Sequence, residues 1–169
     1  MNEMYAEWLV KRKTPAYMLL VKIAMVILCV IAFFLATSPV LGILGVVILF
    51  AVGAGAYFVF RNSEVEFEYL YVDKQLSIDR IYGKAKRKKA WEGTIDEIQI
   101  VAPTGSTEAK DHETSNMKVL DFSSHQPDAK TYTLISQAGS TATKVIFEPN
   151  EKILKCMRMT APRKIIQRI

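Results

Sequence analysis

Two long apolar segments dominate the first third of the chain. Residues 16–37 carry a single charge, Lys22, and residues 40–60 carry none. At about 1.5 Å of rise per residue, helices of this length span about 30 Å, the thickness of the hydrocarbon core of a bilayer. Only a short break at Ser38 and Pro39 separates the two segments. The pattern predicts two transmembrane helices in a tight antiparallel hairpin, and a pair of buried helices in a soluble protein is the alternative.

After the hairpin the apolar residues recur at every second position. Val65, Phe67, Tyr69 and Tyr71 alternate with Glu64, Glu66 and Glu68 at the start of the segment 64–72. This period is typical of a half-buried β-strand. Six further segments have strand character: 75–82, the region of Trp91, 94–102, 117–122, 130–136 and 143–147. We therefore expect seven antiparallel strands, with a polar loop over residues 103–116.

The end of the chain predicts one amphipathic helix. Asn150 is a favourable N-cap, and Ile153, Leu154 and Met157 form an apolar stripe before Pro162 ends the helix. A curved sheet of seven strands leaves an open end, which this helix can cap. The predicted fold class is an α+β membrane protein, with a transmembrane α-hairpin followed by a seven-stranded β-domain and a capping helix.

The residues before the first apolar segment have a helical pattern. Met4 and Trp8, like Tyr5 and Leu9, are spaced four apart, which predicts an amphipathic lead-in. An aromatic ring beside cations suits a membrane interface. A positive flank that only sets topology is the alternative. The predicted membrane-interface residues are Trp8, Lys11, Arg12, Lys13 and Arg61.

These patterns divide the chain into four parts. The predicted parts are an amphipathic flank at 1–15, two spans within 16–61 (16–37 and 40–60), a β-domain at 62–161 and a basic tail at 162–169. Cys29 falls in the first span and Cys156 near the far end, so no disulfide is expected.

Cations flank the hairpin on its outer sides, and the connection between the spans has none. Positive residues favour the cytoplasmic side, so we expect a multi-pass protein of the cell membrane with both termini in the cytoplasm. Lys22 lies close enough to the start of its helix for its side chain to reach the interface. Ala51 and Gly55 are four apart and predict close helix packing, within the hairpin or in a dimer.

No motif for catalysis, cofactor binding or metal binding is found. The chain lacks a phosphate-binding loop, a nucleophile elbow and a zinc-protease helix motif. Its two histidines, His112 and His125, fall in polar loops rather than on rigid elements, so we expect no metal site. Nucleic acid is not an expected partner, because there is no platform of stacking aromatic residues.

The most informative charged feature follows Gly83. Five of the six residues 84–89 are cationic, and the pattern predicts a basic turn. Lysines and arginines close to a membrane are attracted to anionic lipid, and a solvated hairpin tip is the alternative. The predicted contacts to anionic phospholipid headgroups are Lys84, Lys86, Arg87, Lys88 and Lys89.

The order of elements in EYLYVDKQLSIDRIYGKAKRKK…IDEIQIVA resembles bacterial pleckstrin-homology-like (PH-like) domains joined to transmembrane hairpins. The chain also resembles a group of small bacterial membrane proteins of unknown function. The resemblance covers residues 16–160 and implies a PH-like fold at a membrane. Lipid-binding eukaryotic members carry a cationic motif on their first two strands. Here Lys74 and Arg80 are present but Ile78 replaces the middle cation, which implies loose electrostatic attraction rather than headgroup-specific recognition.

The resulting hypothesis is a non-enzymatic membrane protein whose cytoplasmic domain is a binding or assembly module at the inner leaflet. Its partners would be the bilayer itself and either anionic lipid or another protein. A structural subunit that self-associates or docks to another membrane protein is the main alternative. A membrane-tethered enzyme is a third class, which the missing motifs disfavour.

Overall fold

The structure, a computed structural model, describes residues 5–40 and 42–167. The chain forms two compact units. The sheet unit contains the residues up to Lys13, residues 66–81 and the residues from Lys86 onward, and the helical unit contains residues 14–65 and 82–85. The helices are thus inserted into the chain of the sheet unit, between its first and second strands.

The helical unit contains α1 (Ala16–Ala36) and α2 (Gly42–Asn62), close to the predicted bounds of 16–37 and 40–60. Both helices are long and apolar enough to cross a membrane. Large apolar side chains such as Leu20, Phe34 and Phe50 are exposed on them. They are therefore not the buried core helices of a soluble domain.

The two helices pack along a regular seam. On each helix the less exposed residues recur mainly at spacings of three and four, so they lie along one face. Among the glycines of α2, Gly45 lies closest to α1, since an added Cβ there would be 2.5 Å from the carbonyl carbon of Leu35. Only glycine fits there. The less exposed residues are Met18, Lys22, Met25, Cys29, Ala32, Leu35 and Ala36 on α1, and Gly42, Gly45, Leu49, Val52, Gly55, Ala56 and Val59 on α2.

The sheet unit contains two four-stranded sheets. The first has the order β1-β2-β3-β4 and the second the order β5-β7-β8-β6. The strands are β1 (Tyr5–Lys11), β2 (Val65–Val72), β3 (Gln75–Tyr82), β4 (Lys86–Thr94), β5 (Ile98–Pro103), β6 (Lys118–Asp121), β7 (Tyr132–Ala138) and β8 (Thr141–Phe147).

The α+β class and the order of helices, strands and final helix are confirmed, but the strand count is wrong. Each of the seven predicted strands has a counterpart, and the described residues add an eighth, β1. The prediction of a wholly antiparallel sheet is also wrong, because β6 pairs with β8 in parallel.

Strand β1 replaces the predicted N-terminal helix. It pairs antiparallel with β2 along its whole length, from Tyr5 opposite Val72 to Lys11 opposite Glu66. Ala6 and Val10 point into the core. Residues four apart lie on one face of a helix, but they also lie on one face of a strand. Pairing with the edge of β2 decides for the strand, because strand formation depends on cross-strand neighbours. Met4 lies outside the described residues.

Aromatic side chains connect the two sheets in the core. The rings of Phe67 and Phe122 pack edge to face at 5.5 Å, and those of Tyr69 and Phe147 at 5.7 Å. The Tyr69 hydroxyl donates to the Phe122 carbonyl at 2.7 Å and accepts from the Glu148 amide at 3.3 Å. Burial raises the pKa of Tyr69, so the phenol stays protonated and keeps donating this bond.

Helix α4 (Glu151–Thr160) confirms the prediction for the end of the chain. The Asn150 side chain accepts from the Ile153 amide at 2.8 Å, and the predicted stripe of Ile153, Leu154 and Met157 is buried. The prediction of a polar loop over residues 103–116 is corrected by a short helix, α3 (Thr107–Asp111), which the Ser106 side chain caps.

The basic tail is held against the edge of β5. The Val101 amide donates to the Lys164 carbonyl, and the Ile166 amide to the Val101 carbonyl, both at 2.8 Å. Ile165 is buried, and the Lys164 ammonium donates to the carbonyls of Ile95 and Asp96. The tail thus closes part of this edge as far as Gln167, and residues 168–169 lie outside the described part of the chain.

Candidate functional site

The turn between β3 and β4 packs against the C-terminal end of α2, within the helical unit. The Gly83 amide donates to the Glu64 carbonyl at 3.0 Å. Gly83 has φ +53°, and an added Cβ would lie 2.3 Å from the Arg61 carbonyl oxygen. A residue with a Cβ would therefore push the turn away from the helix end. Lys84, which follows directly, also has positive φ (59°) and is exposed.

The predicted basic turn is in fact mostly strand. Only Lys84 lies in the turn, whereas Lys86, Arg87, Lys88 and Lys89 begin β4, an edge strand of the first sheet. All five cations are exposed. Because side chains of a strand alternate between its faces, the four strand residues divide between the two sides of the sheet.

Two of these five cations are engaged by acidic side chains. Arg87 pairs with the almost fully buried side chain of Glu68 at 2.9 Å. Burial raises the pKa of Glu68, and the positive charge of Arg87 opposes that rise. Lys89 pairs with Glu92, and this contact raises the pKa of Lys89.

Three cations remain available to a ligand. In the described part of the chain, no carboxylate lies within ion-pair distance of Lys84, Lys86 or Lys88. We name these three lysines, which occupy every second position from residue 84 to residue 88, the basic edge. Arg61 donates to the Tyr57 hydroxyl at 2.7 Å and lies over its ring.

The charges of the helical unit gather at one end of the hairpin. Its cations are Lys22, Arg61 and Lys84, and its one acid is Glu64. The Lys22 ammonium lies 5.5 Å from the centre of the Phe60 ring. The connection at the other end, around Ser38, has no charge.

The predicted interface residues of the N-terminal flank belong to the sheet unit. Trp8 lies opposite Tyr69 and is partly exposed, and Lys11 lies opposite Glu66. Arg12 and Lys13 follow the end of β1. The predicted amphipathic helix is wrong, because Trp8 and Lys11 lie in β1 and the two residues after it are not helical.

A loop after β6 fastens the chain just before α1. The Lys13 amide donates to the Ser124 carbonyl at 2.7 Å, and Arg12 contacts the His125 ring at 3.2 Å. His125 also contacts Asp121 at 2.9 Å. Burial alone would raise the pKa of Asp121, but hydrogen bonds from Ser123 and the contact with His125 together lower it. No pattern in the sequence links this loop with residues more than 100 positions away.

The two small residues proposed for helix packing differ in their surroundings. Ala51 is exposed, whereas an added Cβ at Gly55 would make an ordinary contact of 3.5 Å with Met25. Gly45 packs against the backbone of α1 more closely than Gly55 does. The sequence does not distinguish it from the other glycines of α2.

Neither histidine lies in a cluster suited to a metal. His112 contacts the Glu108 carbonyl, and His125 contacts Arg12 and Asp121. Within residues 5–40 and 42–167 no group of three or more His, Cys, Asp or Glu side chains could hold a metal ion.

A comparison with protein families finds a match to the family described as a bacterial PH-like domain (DUF6106), and the match covers residues 2–167. The match confirms that the chain resembles bacterial PH-like domains, as the order of its elements indicated. The matched range contains the helical hairpin as well as the strands on both sides of it. No curated protein and no solved structure matches the chain.

Proposed function

The chain belongs to this bacterial PH-like family, and from that premise we propose that it is a non-enzymatic, membrane-anchored binding module. Its basic edge binds anionic phospholipid headgroups. The helices α1 and α2 cross the cell membrane, and the sheet unit lies at the inner leaflet. The specificity is electrostatic, because three unpaired cations attract any anionic headgroup without defining its shape.

The packing of Gly83 against Arg61 carries this proposal. If α2 leaves the bilayer at Arg61, the turn held at that residue lies at headgroup level. Lys84 then reaches the headgroups directly, and Lys86 and Lys88 follow on the strand that begins two residues later. A solvated hairpin tip would not need a glycine that places the turn against the end of an apolar helix.

The pairing of β1 with β2 supports an even number of membrane spans. These strands precede and follow the hairpin, and one sheet contains both, so they lie on the same side of the bilayer. The cations that flank the hairpin support the cytoplasm as that side.

Lipid retention by the full chain tests the lipid-binding proposal. The protein is reconstituted in nanodiscs of mixed phosphatidylcholine and phosphatidylglycerol, and native mass spectrometry counts the lipids that stay bound. We expect the parent to retain phosphatidylglycerol preferentially and to lose this preference at high salt, since the Debye length falls from about 10 Å at 0.1 M to about 3 Å at 1 M.

The matched variants carry equal changes of charge. The triple variant Lys84→Gln, Lys86→Gln, Lys88→Gln should lose most of the preference. The control Lys110→Gln, Lys118→Gln, Lys152→Gln, which changes exposed lysines elsewhere, should keep it. Equal retention by both variants would contradict the assignment to the basic edge, and a parent without preference would contradict lipid binding altogether.

Cysteine labelling tests the orientation. In a Cys29→Ala, Cys156→Ala background, Ser38→Cys should react with an impermeant maleimide from outside intact cells. Ser140→Cys, in an exposed turn of the sheet unit, should react only after permeabilisation. The reverse pattern would place the sheet unit outside the cell.

A further inference from the structure

An open groove lies on the sheet unit between α4 and the ends of β5 and β7. It consists of two adjoining cavities of about 680 and 460 Å³, which share Pro103, Thr104 and Gln167 as lining residues. Its inner surface includes the apolar side chains of Tyr132, Leu154 and Pro149. The groove shares no residue with the basic edge.

The wider cavity has a cationic rim. Lys130 reaches it from the segment before β7, and Lys155 and Arg158 from α4. Across the described ranges 5–40 and 42–167, no carboxylate lies within ion-pair distance of these three side chains. Gln167 accepts from one nitrogen of the Arg158 guanidinium at 3.2 Å, and the other guanidinium nitrogens face no carboxylate in the described residues. Of the acids, Glu151 lines this cavity and Glu108 the narrower one.

We propose that this groove binds an acidic peptide segment of a partner protein, with apolar side chains between its carboxylates. The charge complementarity follows from these three cations, which have no carboxylate partner, and a guanidinium is suited to bidentate contact with a carboxylate. The apolar surface from Tyr132 and Leu154 requires an occupant that carries apolar groups as well. Two adjoining cavities of about 680 and 460 Å³ offer room for several residues of a peptide rather than a single headgroup.

The proposal stands apart from lipid binding at the basic edge. The lipid-retention variants change Lys84, Lys86 and Lys88, none of which lines the groove. Failure of one proposal therefore leaves the other unaffected. Occupation of the groove by anionic lipid is a separate outcome that the experiment below detects.

The test uses the full chain in nanodiscs of phosphatidylcholine alone. The probe is a set of fluorescent eight-residue peptides in which Glu or Asp alternates with apolar residues, each with a twin carrying Gln or Asn instead. Fluorescence anisotropy measures affinity, and hydrogen exchange locates the protected backbone. We expect members of the acidic set to bind at least about tenfold more tightly than their twins. Protection should appear at residues 103–106 and along α4.

The matched variants decide whether the groove is responsible. Lys155→Gln with Arg158→Gln should weaken binding by about tenfold, while Lys110→Gln with Lys118→Gln should leave it unchanged. All four side chains are exposed, so both variants should unfold at the temperature of the parent.

Three outcomes would overturn the proposal. They are equal binding of the acidic peptides and their twins, full binding by the Lys155→Gln, Arg158→Gln variant, and protection confined to regions outside the groove. Protection of the groove by phosphatidylglycerol nanodiscs, with no peptide bound, would assign it to lipid instead.

Discussion

Ala6 of β1 and Tyr71 of β2 lie directly opposite each other in the first sheet, and neither side chain is exposed. The whole helical hairpin lies between them in the chain. Because β1 precedes the hairpin and β2 follows it, the residues after the hairpin cannot form the whole first sheet by themselves. This relationship changes which fragment of the protein is expected to fold.

A fragment of residues 63–167 should be much less stable than one that includes β1. Without β1, the edge of β2 and the apolar side chains that Ala6 and Val10 cover become exposed. Residues 5–13, joined by a flexible linker to residues 63–167, should fold, because Lys11 and Glu66 lie opposite each other. We expect the unfolding midpoint without β1 to be lower by more than about 10 °C. Equal midpoints in thermal scans would show that β1 is dispensable.

Replacing Gly83 with alanine should release the β3–β4 turn from the end of α2. The added Cβ would lie 2.3 Å from the Arg61 carbonyl oxygen, in addition to the strain of a positive φ. Gly139→Ala is the matched control, since Gly139 also has positive φ (60°) but nothing within 4 Å of an added Cβ. Relative to the parent, hydrogen exchange at residues 82–85 in Gly83→Ala should rise more than exchange at residues 138–141 in Gly139→Ala. Equal increases at the two turns would assign the effect to φ and not to the contact with Arg61.

Gly45→Leu should destabilise the helical hairpin by about 1–3 kcal/mol, because the added side chain meets the backbone of Leu35 and Ala36, which cannot move aside. Gly53→Leu should have little effect, as an added Cβ there meets nothing within 4 Å. Unfolding in a denaturing detergent, followed by circular dichroism, measures the difference. If the two variants unfolded alike, the seam would not lie at Gly45.

Asp121→Asn should reduce the amount by which the free energy of unfolding decreases at acid pH. A native pKa below the ordinary value means that the charged carboxylate stabilises the fold above about pH 4. This contribution is lost as the pH falls through the native pKa. We expect the variant to be less stable at pH 7 and to lose less between pH 5 and pH 3.

Urea midpoints of the linked 5–13 and 63–167 fragment measure this difference. Glu68, whose pKa burial raises, contributes the opposite slope, since its carboxyl is more easily ionised in the unfolded chain. That contribution is the same in parent and variant and cancels in the comparison. If the midpoints of parent and variant changed with pH in parallel, the contacts of Asp121 with Ser123 and His125 would not lower its pKa in the folded protein.

The sequence alone determined the elements whose signal lies within one segment. The apolar helices could be predicted from length and composition, because a run without charges has few other stable environments. Strand β2 followed from its alternation, and the start of α4 from Asn150 as its cap. The five cations of residues 84–89 could be found, but not which of them are free.

Tertiary structure decided whatever depends on a distant partner. Residues 5–11 fit a helix or a strand equally well by spacing, and the open edge of β2 selects the strand. Arg87 is removed from the set of free cations by Glu68, 19 positions earlier. The position of the turn after β3 depends on the close packing of Gly83 against the Arg61 backbone. Local periodicity reports which face of an element is apolar, whereas pairing and close approach depend on which other segment lies against that face.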